Sequence, residues 1–143
     1  IKLSLIGVVP NFIAAFFILG IIGLLGIPLD MMTITIAAIT IGIAVDNSIH
    51  YIYRFKEEFN KIKDYNKTLK TCHSTVGVAI LNTSITIVFG FSILVLSNFI
   101  PTIYFGIFTG IAMLLAMISV LTLLPKLILT YKPFGNEKND LVL

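Results

Sequence analysis

Residues 31–55 read MMTITIAAITIGIAVDNSIHYIYRF, and this stretch decides the fold. From Met31 to Val45 it is apolar apart from scattered threonines, and with its flanks it approaches the roughly 20 residues that an α-helix needs to cross a bilayer. Asp46 interrupts it. On insertion scales a carboxylate at the centre of a membrane helix costs roughly 2.5–3.5 kcal/mol, so acids persist there mainly where they face protein or a water-filled path. Asp46 precedes Arg54 by eight residues, or roughly 12 Å of helix from the polar boundary. Such an acid is read as binding and releasing a proton or another small cation, which is the business of a transporter.

Composition sets the class. Hydrophobic residues make up 57% of the 143 residues and charged residues 12%, about half the charged share of a soluble domain. Mean hydropathy is +1.03. The net charge of +3 does not point to nucleic acid, because six of the ten Lys and Arg residues crowd between Arg54 and Lys70 and none interrupts a long apolar run. Cys72 is the sole cysteine, which excludes an intrachain disulfide and a thiolate metal cluster. No cofactor and no metal site is expected. The chain opens on Ile rather than Met, as a fragment or processed product does. Its first apolar run lacks a small-residue cleavage site and is long enough to span, which argues against a signal peptide.

Four spans are predicted, over about 3–25, 30–53, 75–96 and 102–124, with a polar connector at 54–74. The membrane domain is thus 1–128 and the polar tail 129–143. Lys2, the connector, Lys126, Lys132 and Lys138 all fall on one side of this arrangement, and the two short turns on the other side carry no Lys or Arg. The positive-inside rule then makes both termini cytoplasmic, in a multi-pass inner-membrane protein. In the connector, Phe55, Phe59, Ile62, Tyr65, Leu69 and Cys72 recur at steps of three and four. That spacing predicts an amphipathic helix whose lysines face water and lipid head groups.

Ala38, Gly42, Asp46 and His50 follow at intervals of four and share one side of the second helix. Small residues there let a neighbouring helix approach closely, so this side is expected to be a helix–helix seam, with Ile36, Ile39 and Ile43 toward lipid. Asn82, Thr83, Thr86 and Gly90 form a matching small and polar stripe on the third helix, at a depth close to that of Asp46. The two stripes are expected to meet, with Asn82, Thr83 and Thr86 as hydrogen-bonding partners of the acid. Asn47 and His50 join Asp46 as candidate proton-coupling residues, and Ala38, Gly42 and Gly90 are close-packing positions. Plainer readings stand beside these. Thr83, Ser84 and Thr86 have the option of bonding a carbonyl of the preceding turn, His50 lies near the wet interface, and Asp30 suits a helix N-terminus. Gly20, Gly23, Gly26 and the Gly106/Gly110 pair read as packing positions.

The run GIPLDMMTITIAAITIGIAVDNSIHYIYRFKEEF (26–59) resembles the corresponding segment of the resistance–nodulation–division (RND) superfamily, above all exporters of the MMPL-like or hydrophobe/amphiphile type. More distantly it is similar to the sterol-sensing domains of Patched and Niemann–Pick proteins. Gly42 to Asp46 supplies a GxxxD core, followed by Asn47. Arg54, Glu57 and Glu58, the GFSILVLS segment from Gly90 to Ser97, and Leu124-Pro125 carry the likeness to about residue 128. The resemblance implies an all-α membrane protein, with the four spans as the last four helices of a six-helix repeat. It also implies that the chain is the second of two repeats, that extracytoplasmic substrate-choosing domains lie elsewhere, and that Asp46 inherits the proton-coupling acid. Relatives often carry paired acids across their two repeats, and this chain supplies one.

A proton-driven exporter of hydrophobic or amphiphilic molecules, such as lipids or drugs, is the leading expectation. The alternative is a sterol- or hopanoid-sensing or lipid-binding module, or a protein-translocase accessory, without substrate pumping. An enzyme is not expected: an intramembrane aspartyl protease needs two carboxylates sharing a proton, and Asp46 is the single acid within the apolar runs. The partners expected are the amphiphilic cargo, protons, membrane lipids, the N-terminal remainder of the transporter and a second copy of the protein.

Overall fold

The computed structural model describes residues 2–28 and 30–135. Its helices are α1 (Lys2–Leu24), α2 (Met31–Ile62), α3 (Tyr65–Cys72), α4 (Val78–Ser92) and α5 (Ile100–Tyr131). A π turn (His73–Gly77) joins α3 to α4, and a 3-10 turn (Ile93–Leu96) follows α4. No strand occurs among the described residues. Four helical runs are long and apolar enough to cross a membrane: Leu5–Leu24, Met31–Ile62, Tyr65–Leu96 and Ile100–Tyr131.

The ends of α2 follow from local chemistry. Asp30 Oδ1 accepts the backbone N–H groups of Met32 and Thr33, each at 3.0 Å, and Thr33 Oγ1 accepts the N–H of Asp30 at 3.0 Å. This reciprocal cap satisfies donors that a helix start leaves free. At the other end Lys63 turns left-handed (φ 55°) and its N–H reaches Phe59 O at 2.8 Å, a helix stop of the αL type. Asp64 then caps α3 through the N–H of Lys67 at 3.1 Å.

α1, α2 and α5 pack on one another, while α4 packs chiefly on α5. Toward the Asp30 end the core is Ile18, Ile22, Ile36, Phe108 and Ala112. In the middle Ala14, Ala44 and Ala116 meet, so small side chains let three helices approach closely. α4 is held against α5 by Gly106, where a Cβ would lie 2.7 Å from Phe91 O and 2.9 Å from Leu94 Cβ. Gly110 by contrast has only ordinary contact with Val88, at 3.9 Å.

The apolar stripe of the connector is core, not a membrane-facing surface. Phe55, Phe59, Tyr65 and Cys72 are buried with Val120, Leu124 and Ile128 of α5, and Phe134 packs on them. Phe134 lies 5.6 Å from Phe55, ring to ring, and Tyr65 accepts the N–H of Phe134 at 3.1 Å while donating to Gly135 O at 3.0 Å. α2 therefore continues past its apolar part, folds back at Lys63–Asp64, and closes an aromatic elbow over the end of α5. The lysines stay outside, as the spacing predicts.

The faces of α2 are the reverse of the expectation. Ile36, Thr40, Ala44, Ser48 and Tyr51 are buried, whereas Ala38, Gly42, Asp46 and His50 are exposed. Nothing lies within 4 Å of a Cβ built on Gly42 or on Gly90, so neither is a close-packing position within this chain. The physical reason is that α2 has two narrow sides. The Thr40–Ala44–Ser48 row is also built of small residues and lies on the face opposite the Ala38–Gly42 row, and α1 and α5 bring Ala14 and Ala116 to meet it.

Candidate functional site

Asp46 occupies the outward face of α2, with His50 one turn along. His50 Nε2 lies 3.5 Å from Asp46 Oδ1, and both side chains are 70% exposed. At the same four-residue step come Arg54 and Glu58. A four-residue step drifts around the helix by roughly 40°, so the column begins exposed at Asp46 and ends with a Glu58 side chain only 10% exposed. Arg54 contacts Glu57 at 2.9 Å and Glu58 at 3.1 Å, and Lys61 contacts the same two acids at 3.0 and 3.2 Å. One helix thus carries an acid and a histidine within its apolar part and a closed cluster of opposite charges just beyond it.

Asn47 is buried, turned away from Asp46 toward the protein. Asn82, Thr83 and Thr86 are exposed on α4, and α4 packs on α5 rather than on α2, so the expected seam between the two stripes does not form within this chain. The Thr83 hydroxyl donates to Ala79 O at 3.0 Å and the Thr86 hydroxyl to Asn82 O at 2.9 Å, the back-bonding common for threonine in membrane helices. Ser84 does not follow this pattern: its hydroxyl and that of Thr109 are buried without a hydrogen-bond partner. Among the described residues no group of three or more His, Cys, Asp or Glu side chains is placed to hold a metal.

Two polar contacts between helices escape the sequence reading. The first joins three helices. Asn11 Nδ2 donates to Gly7 O at 2.9 Å, the Ser48 hydroxyl donates to Asn11 Oδ1 at 3.2 Å, and the Ser119 hydroxyl donates to Pro10 O at 2.8 Å. In the sequence Pro10 and Asn11 are simply a break in an apolar run. Residue counting gives little signal for the contact: Asn11 lies nine residues after Lys2 and Ser48 six residues before Arg54.

The second contact is at the π turn, a feature that often marks functional positions. His73 Nδ1 is 3.0 Å from the Tyr51 hydroxyl, and His73 Nε2 is 3.2 Å from Leu121 O. A carbonyl only accepts, so Nε2 carries the hydrogen, and in the neutral ring Nδ1 accepts from Tyr51. The imidazole thereby ties α2 to α5. An apolar groove of about 480 Å³, lined by Leu5, Ile6, Val9, Leu127, Tyr131 and Pro133, opens between α1 and the end of α5. No residue of the Asp46 stripe lines it.

The MMPL family profile matches residues 2–139. A membrane protein of Methanocaldococcus jannaschii is 36% identical over 125 residues, covering 87% of this chain and 32% of that protein. The hopanoid transporters HpnN of Burkholderia multivorans and Rhodopseudomonas palustris are each 27% identical over 115 residues, covering 77% of this chain and 12% and 13% of theirs. The chain thus spans about a third of the first relative and about an eighth of the transporters. No solved structure gives a significant match. With an all-helical fold, four helices fit to cross a bilayer, and a match along nearly its whole length, this chain belongs to the MMPL family of the RND superfamily and is part of a multi-pass membrane protein.

Proposed function

We propose that this chain is part of a proton-driven exporter of hydrophobic or amphiphilic molecules, with Asp46 as the carboxylate that takes up and releases the proton. The observation that carries the proposal is the exposure of Asp46 on an apolar helix, beside His50 at 3.5 Å. Facing lipid, that carboxylate would be costly by the insertion scale already given. In the whole protein its face is instead covered, by another part of the longer polypeptide or by a second copy, or lines a wet path.

The chemistry then follows from charge. Protonation cancels the charge of Asp46 and favours close apposition of the covering surface. Release of the proton restores the charge and favours water beside it. Ala38 and Gly42 present the narrow surface such an approach needs. His50 and the Arg54–Glu58 cluster continue toward the Lys-rich end, where release to the cytoplasm is proposed, with both termini on that side. Asn82, Thr83 and Thr86 lie on a second uncovered polar stripe and serve the same covering surface. The hopanoid transporters among the relatives favour a lipid-like cargo.

The test is transport by the full-length protein in vesicles with an imposed proton gradient, comparing wild type with Asp46→Asn. Gradient-dependent export that the substitution abolishes, in protein that still inserts and folds, supports coupling at Asp46. The groove between α1 and α5 favours one second reading, a lipid-binding module without pumping. That module would bind lipid equally well with Asn at position 46 and show no gradient-driven export.

A further inference from the structure

We infer that Asn11, Ser48 and Ser119 form a joint that makes α1, α2 and α5 move as one body when the charge of Asp46 changes. The inference rests on the proton-coupling reading of Asp46 and assigns these three residues a positioning role, not a share in carrying the proton.

Ser48 and Asp46 lie two residues apart, on opposite faces of the same turn of α2. Any displacement of the acid-bearing face is felt at once by Ser48. Ser48, Asn11 and Ser119 are 2%, 1% and 7% exposed, and their hydrogen bonds cross from α2 to α1 and from α5 to α1. These bonds converge on the one place where α1 is weakened. Pro10 has no N–H to offer the carbonyl of Ile6, so the helix is able to bend there. Asn11 and Ser119 grip the residues around that weak point, through Gly7 O and Pro10 O.

Interhelical hydrogen bonds in membranes add only modestly to stability, so the three side chains are better explained by register than by strength. The Ala14, Ala44 and Ala116 contact about one turn away permits sliding, because methyl groups specify no register. A hydroxyl donating to a single amide oxygen does specify one. α1 from Leu3 to Leu24 and α5 from Ile100 to Pro125 bring no acid, lysine, arginine or histidine to the joint, so its hydrogen bonds are indifferent to pH. Asp46, with His50 against it, is the group through which pH acts on this turn of α2.

The experiment places spin labels at Phe12 on α1 and Tyr53 on α2, both exposed, in the full-length protein in nanodiscs, and reads their separation at acidic and alkaline pH. Wild type is expected to give one narrow distance at both. Ser48→Ala is expected to add a second distance whose population shifts with pH. Ser48→Thr, which keeps the hydroxyl, restores the single distance, and adding Asp46→Asn to Ser48→Ala removes the pH dependence. A Ser48→Ala protein that stays narrow and pH-independent overturns the joint. So does a pH-dependent distance in wild type, or a second distance that ignores pH or survives Asp46→Asn, which is a packing defect unrelated to the acid. Should Ser48→Ala fail to fold, Ser119→Ala with labels at Phe12 and the exposed Ile118 poses the same question. The reading of Asp46 fails separately, through undiminished gradient-driven export in Asp46→Asn alone.

Discussion

Asp46 and Ser48 stand two residues apart on α2 and face opposite ways: Asp46 is 70% exposed beside His50, while the Ser48 hydroxyl is buried and donates to Asn11 at 3.2 Å. One helical turn therefore joins a charged outer face to the packed interior of three helices. The consequences divide between the chain by itself and the chain in its complete protein.

Replacing Asp46 with Leu is expected to improve insertion of α2 by about 2.5–3.5 kcal/mol, the cost of the carboxylate at that depth. The gain is read in a membrane-insertion assay of the isolated segment. In the complete protein the same substitution is expected to abolish gradient-driven export. A stability gain paired with a functional loss separates a working acid from a packing one.

Gly42 and Gly106 are expected to behave oppositely. A Cβ on Gly106 meets the backbone oxygen of Phe91, so Gly106→Ala must push α4 from α5, at about 1–3 kcal/mol for an overpacked contact. Gly42→Ala meets nothing within this chain and is expected to stabilise it by about 0.5–1 kcal/mol through helix propensity. In the complete protein, where a covering surface is proposed, Gly42→Ala is expected to lower transport. Unfolding in detergent and a transport assay together check both halves.

Thr109→Val is expected to be neutral or stabilising, by up to about 1–2 kcal/mol. It removes a buried hydroxyl that lacks a partner and replaces it with a group of the same shape. Reversible unfolding of the variant measures the change, and a loss of stability would mean the hydroxyl has an acceptor.

Tyr51→Phe is expected to cost about 1 kcal/mol, the typical worth of one net hydrogen bond. The variant keeps the buried ring and frees His73 Nδ1. His73→Ala removes the contact to Leu121 O as well and is expected to cost more. Equal losses in the two variants would contradict a histidine that ties α2 to α5.

Much of this was legible in the sequence, for reasons specific to each part. Apolar runs of the right length mark the spans, Asp30 stands where a helix start favours a carboxylate, and the connector spacing announces its apolar stripe. What that stripe packs against was not legible, because Phe55, Phe59 and Tyr65 meet Phe134 and the end of α5 across a long sequence separation. The orientation of α2 was not legible either. Its Ala38–Gly42 and Thr40–Ala44 rows are both built of small residues, and periodicity alone does not say which of two narrow faces a neighbour will choose. Asn11 and Ser48 were hidden for a related reason: a lone Asn and a lone Ser in apolar runs acquire meaning only once packing brings them within 3.2 Å of each other.

The most direct measurement is proton movement through the full-length protein in proteoliposomes, followed with a pH dye sealed inside, for wild type and Asp46→Asn. Proton coupling at Asp46 predicts gradient-driven flux in wild type and its loss in a folded, inserted Asp46→Asn protein. Equal flux in the two would contradict it and leave the exposed acid of α2 without a role in coupling.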